Sequence, residues 1–174
     1  MRRTILAAIP AAVWLLLAAR TTLAVPLQLA LFDPVQWRPA SASIEGLRLN
    51  LIYGRNASLT GIDLGLANRL DGSCTGVQVG AVNICQGSFT GIQDGWLYSR
   101  VGGHLTGLQW AVVSQSGSMT GMELGFVNLA GGVEGLQVGL FNQCARLHGL
   151  QLGQLNQDQS NRKWPLLPLL RWSR

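Results

Sequence analysis

The side chains of this chain that could do chemistry are few and scattered. Cys74, Cys85 and Cys144 are an odd number of thiols, which in an exported protein signals a disulfide plus one free sulfur. His104 and His148 stand apart, and neither joins a cluster with metal-ligand spacing. Asp94 is the one carboxylate at a position otherwise held by apolar residues, beside Trp96; a buried acid of that kind marks a site when its pKa is shifted. The glycines are periodic, so they make no local nucleotide loop leading from a strand into a helix. No Ser, His and Asp are fixed together by spacing, and Asn56-Ala57-Ser58 matches a glycosylation sequon. This inventory leads to no expected cofactor, no metal and no enzyme activity.

What must position these residues is a repeat. A glycine recurs at Gly46, Gly61, Gly76, Gly91, Gly107, Gly121, Gly135 and Gly149, at spacings of 15, 15, 15, 16, 14, 14 and 14. Each opens the phrase Gly, apolar, polar, apolar, Gly, apolar, apolar, Asn, cleanest in GVQVGAVN (76–83), GLQVGLFN (135–142) and GLQLGQLN (149–156). The period inside the phrase is two, which is strand. Counted from the opening glycine, the odd positions are apolar: Leu64, Val79 and Leu124 at the third, Leu66, Phe126 and Leu140 at the fifth. The second position holds Gln78, Gln93, Gln109, Gln137 and Gln151, with Arg48, Asp63 and Glu123 elsewhere. The fourth is mostly Gly. This even face reads as a flat, mildly polar surface, and its glutamines are the expected interaction face.

The seventh position is Asn68, Asn83, Asn128, Asn142 and Asn156. Stacked strands bring equivalent residues to about 4.8 Å, where side-chain amides can bond up and down a column; ordinary turn-forming asparagines are the competing reading. Two residues before each glycine comes a further apolar column, from Ile44 and Leu59 to Val133 and Leu147, which the return side of a coil would turn inward.

These columns sort the reactive residues. Cys85 and Cys144 share a column four repeats apart, about 19 Å at strand spacing, and Cys74 and Cys85 are about four residues out of register on neighbouring coils. A disulfide needs Cα atoms within about 7 Å, so three buried, reduced thiols are expected. Asp94 opens the 16-residue spacing that follows Gly91, which marks it as the site of a local bulge.

Two architectures fit an all-β chain of this kind. One is a β-solenoid of about eight coils of 14–16 residues with end caps. The other is an antiparallel β-barrel or barrel-like sheet. Outer-membrane barrels alternate short turns with longer loops, whereas the connections here are 5, 5, 5, 6, 4, 4 and 4 residues. That favours one equivalent corner per coil. The expected organisation is a signal peptide over 1–24, an N-terminal cap over 25–43, repeats over 44–161 and an apolar, basic C-terminal cap over 162–174. Open ends pair with other chains, and both cap segments contain Pro, which blocks further pairing.

Charged residues are only 12% of the chain, with 22 glycines, a composition against disorder. The net charge of +5 is concentrated at the ends: residues 25–161 carry 6 basic and 8 acidic side chains. The body shows no basic stripe, so nucleic acid is not an expected partner. Met1-Arg2-Arg3-Thr4, the apolar run 5–19 and Thr22-Leu23-Ala24 have the order of a secretory signal cleaved after Ala24.

The sequence PLQLALFDPVQ, then GLRLNLIYG, then tandem GhQhGhhN units (h apolar) and a Pro-rich apolar end resembles the bacterial surface-repeat-containing proteins. The resemblance covers nearly all of the chain after the leader, and Gln93-Asp94-Gly95 and Gln109-Trp110 resemble variants of that unit. It implies a secreted or cell-surface location and no established activity. The ending Arg171-Trp172-Ser173-Arg174 lacks the terminal aromatic of an outer-membrane insertion signal. The expected function is structural or interactive, with an extracellular or surface partner or contact with the outer membrane; the alternative is a small outer-membrane barrel.

Overall fold

A computed structural model of the protein describes residues 25–173; the signal peptide expected over 1–24 lies outside them. The strands are β1 (Val25–Phe32), β2 (Val35–Gln36), β3 (Ser43–Asn56), β4 (Ser58–Leu70), β5 (Cys74–Cys85), β6 (Phe89–Leu124), β7 (Val127–Val138), β8 (Phe141–Asp158) and β9 (Leu166–Ser173). They form one sheet in the order β2-β1-β3-β4-β5-β6-β7-β8-β9. From β1 to β8 the neighbours run parallel, while β2 returns antiparallel on β1 and β9 antiparallel on β8.

The register is that of the repeat. Gly46 pairs with Gly61, Gly61 with Gly76, Gly76 with Gly91, Gly121 with Gly135 and Gly135 with Gly149. Each copy therefore lies one full turn after the last, and the chain winds a β-solenoid of about seven turns. The barrel alternative is overturned by this pairing: a meander of transmembrane strands pairs antiparallel with its neighbours, and here copy meets copy in the same direction. Eight opening glycines give about seven turns because the last copy is met by β9 instead of another coil.

The opening glycine is obligatory for two reasons. All eight have φ between 124° and 148°, a region that L-residues with a Cβ avoid. Their backbones also stack closely, so that a Cβ on Gly76 would collide with the carbonyl oxygen of Gly61.

The apolar column two residues before the glycine is buried throughout, as the return side of a coil requires. Ile44, Leu59, Phe89, Leu105 and Leu147 pack there with Leu70, Val101, Ala130 and the three cysteines. The strand beyond the glycine faces the opposite way from expectation. Its even positions point into the coil and its apolar odd positions point out. The interior is therefore half hydrocarbon and half polar ladder.

Candidate functional site

The glutamines of the second position cannot be an interaction face, because Gln78, Gln93, Gln109, Gln137 and Gln151 are fully buried. The physical reason is that each finds its partner one coil away. Gln93 donates Nε2–H to Gln78 Oε1 at 2.7 Å, and Gln78 donates to Asp63 Oδ2 at 2.7 Å. Arg48 closes this chain with two bonds to Asp63, Nε to Oδ1 at 2.7 Å and Nη2 to Oδ2 at 2.5 Å. A second chain runs from Gln151 to Gln137 Oε1 and from Gln137 to Glu123 Oε2, both at 2.7 Å. Ser116 donates its hydroxyl to the other oxygen of Glu123. Between the two chains, Gln109 finds no protein partner at either end of its amide.

The asparagine ladder is present. Asn50 donates to Asn68 and Asn68 to Asn83, each at 2.9 Å. Asn128 donates to Asn142 and Asn142 to Asn156, each at 2.8 Å. The same amide groups also bond carbonyl oxygens, as Asn128 does with Val138 O and Asn142 with Leu152 O. The glycine at the fourth position makes room for this column: a Cβ on Gly80 would lie 2.6 Å from Asn68 Nδ2, and one on Gly139 2.6 Å from Asn128 Nδ2. Where the fourth position is Ala111, the ladder residue shrinks to Ser114, and both are buried. Where it is Asn50, the residue in register with Asn68 is Gly54. No rung holds two large side chains: Gly stands beside Asn in most, and Ala111 beside Ser114.

The remaining reactive residues fall into place around this interior. All three cysteines are buried thiols. Burial pushes the Cys85 thiol up to about 11 and that of Cys144 up to about 12, and raises Cys74 as well. Thiolate chemistry is thereby suppressed. Asp94 is half-exposed on the outer side, in register with Val79. The bulge foreseen here follows it: Gly95 pairs with Gly80 and Tyr98 with Val82, so the extra residue lies at Trp96-Leu97. His104 and His148, distant in sequence, line one shallow polar depression with Ser118, Glu134 and Arg146. His104 Nδ1 lies 2.8 Å from Ser118 Oγ. The repeat held a signal for that grouping, since the positions three and one before each glycine alternate outward together. Among the described residues no group of three metal-ligating side chains is assembled, and no helix is long and apolar enough to cross a membrane.

The feature that sequence reasoning placed on the wrong side is the apolar face. Leu51 is 70% exposed, Trp96 65%, Trp110 58% and Phe126 57%, with Leu64, Leu66, Val112 and Leu140 exposed around them. The face continues past the repeats. Leu29 of β1 is in register with Leu49, and Leu170 and Trp172 of β9 are opposite Leu152 and Leu150. Asp94 is its single charge across the first, third and fifth columns. Near β1 the face deepens into a groove of about 830 Å³ between Leu29, Leu31, Trp37, Leu51, Leu64 and Leu66. No family model matches this sequence, and neither does any curated protein or solved structure.

Proposed function

We propose that this chain is an exported repeat protein of the cell surface that acts by contact and not by catalysis, and that its working surface is the outward apolar face. The observation that carries the reading is the face itself: ten stacked rows, the eight repeat copies with β1 and β9 at the ends, turn Leu, Val, Ile, Phe and Trp to the outside. Its outline measures about 43 Å along the stack, from nine steps of strand spacing, by about 17 Å across. That is about 700 Å², beyond the 300–600 Å² of the largest patch on a typical monomer. Conversely, the polar groups that a binding site for a hydrophilic ligand would use are turned inward and bonded to one another.

The basic-then-apolar opening of residues 1–24 supports export, and the resemblance to surface-repeat-containing proteins supports a surface location. In intact cells the protein should be cleaved by added protease, and the recovered form should begin at Val25. Replacing Leu66, Trp110 and Phe126 by Lys should abolish the complexes that chemical cross-linking on intact cells captures, while leaving its β circular-dichroism signal unchanged, because all three point outward. Unchanged cross-linked complexes in the triple variant, or a chain that stays inside the cell, would refute the proposal.

A further inference from the structure

Resting on that reading, we infer that the occupant of the apolar face is a second copy of the same chain, packed face to face with the two stacks antiparallel. Three observations point there. The first is area: about 700 Å² of outline per chain is close to the ~800 Å² per partner of a stable protein interface, and two apolar sheets pack at about 10 Å.

The second is shape. The face has the groove at its β1 end, the bulge with exposed Trp96 and Leu97 in the middle and exposed Leu170 and Trp172 at its β9 end. A two-fold axis along the strand direction sets β1 of one copy against β9 of the other. The exposed Leu170 and Trp172 of one end then meet the groove of the other, and Leu29 faces Leu170 of the second copy.

The third is charge. The same axis sets the Gly91 copy against the Gly107 copy, so that Asp94 meets Trp110, whose indole N–H is a donor. With the stacks parallel, Asp94 would instead meet Asp94 in an apolar interface, an arrangement disfavoured by like-charge repulsion. A bilayer explains less of this. Faces that lie on lipid carry a basic margin. The margin here is a run of threonines flanked by Glu45 and Glu134 on one side, and on the other Arg55 and Arg69, which share Asp71, and Arg100, the one exposed cation of that column with no acidic partner among the described residues.

The test uses the exported protein recovered without detergent. Light scattering at micromolar concentration should give twice the mass of one chain, and the Leu66→Lys, Trp110→Lys, Phe126→Lys variant half of that. Because a triple substitution can also weaken folding, a second arm keeps the surface nearly intact. Leu29→Cys and Leu170→Cys in one chain should be joined between copies by a bis-maleimide of about 10 Å reach, and neither single variant should be. The three native cysteines are buried and do not compete. Linkage of the Leu29→Cys single variant to itself would overturn the antiparallel arrangement. A monomer that floats with phosphatidylethanolamine–phosphatidylglycerol vesicles, and stops doing so with the three lysines, would overturn the second copy in favour of lipid while leaving the interaction face standing. A monomer that does neither would remove both.

Discussion

Asp63 and Glu123 occupy the same inward column four copies apart, and the two halves of the solenoid treat them differently. In the N-terminal half, Asp63 collects donors from Arg48, Asn50 and Gln78, and Arg48 and Asp63 are both fully buried. In the C-terminal half, Glu123 also ends a glutamine chain, but it has only Ser116 and Gln137 as donors and no cation. Burial pushes its carboxyl above the usual carboxylate range, against the pull of those two hydrogen bonds. Between them both ladders fail over the same stretch, from the Gly91 copy to the Gly121 copy. Gln93 Oε1, Ser99 Oγ, Gln109 and Asn128 Oδ1 lack partners there, next to the 16-residue copy. A polar interior of stacked amides is thus stable where each column ends on a matched charge, and strained where it ends on an unmatched one or is interrupted.

The strongest way to break the contrast is to make the first half resemble the second. Arg48→Met leaves Asp63 buried without its cation, and loss of one partner of a buried pair costs about 3–5 kcal/mol. Thermal or urea unfolding should show the loss, and a hydrophobic double variant, Arg48→Met with Asp63→Leu, should recover most of it. A single variant within 1 kcal/mol of the parent would mean that the pair does not hold the column.

The opposite change should repair the second half. Glu123→Gln restores the residue found at this position in most copies, so the amide can still accept from Gln137 and gains an N–H for Gln109. A carboxyl whose folded pKa is raised imposes no penalty below its ordinary value of about 4.5, and a growing one as pH climbs toward the raised value. Glu123→Gln should therefore stabilise by about 1–3 kcal/mol at pH 8, the scale of an unsatisfied buried polar group, and change little at pH 4. Melting curves at the two pH values decide this; an equal shift at both would rule out ionisation of Glu123 as the cause.

Much of this was legible in the sequence. The recurrence of Gly and Asn at fixed offsets established the coil length, the stacked columns, the asparagine ladder and the bulge after Asp94. The inside and outside of the strand were not legible, because an alternating apolar pattern ordinarily marks the buried side, and a solenoid column satisfies its polar groups lengthwise. Three signals in the residues favour the observed orientation. The second position stays close to one size through Gln78, Gln93, Gln109, Glu123, Gln137 and Gln151, as a packed interior demands. The fifth ranges from Ala81 to Trp96, which no shared interior column would tolerate. Arg48 and Asp63 in consecutive copies of one column are likewise a pair waiting to be buried. The gathering of His104, Ser118, Glu134 and His148 was legible only as positions three and one before the glycine turning outward together; how close the corner brings them, spacing does not specify.

The difference between bonded and unbonded glutamines can be measured within one column. Gln78→Leu leaves Gln93 Nε2–H without its acceptor and removes one donor from Asp63, and should cost about 1–3 kcal/mol. Gln109→Leu removes an amide that has no partner to lose, and should be neutral or stabilising. Equal costs in urea titrations would mean that the break at Gln109 is not a property of the folded protein.

The smallest effect is expected where the asparagine ladder is interrupted. Asn128 Oδ1 is unpartnered because the copy before it offers Ser114 in place of an amide donor. Ser114→Asn alone would supply that donor but meet the methyl of Ala111, since Asn68, Asn83, Asn128 and Asn142 each pack on a glycine at that position. Ser114→Asn with Ala111→Gly should instead extend the ladder by one rung and add about 1 kcal/mol, the net worth of one hydrogen bond, less the entropy that glycine loses on folding. The double variant should unfold at higher temperature than the Ser114→Asn single variant, and amide hydrogen exchange at Ser114 and Asn128 should slow. If the single variant is the more stable of the two, the size-matching of rungs is not what holds the asparagine column in place.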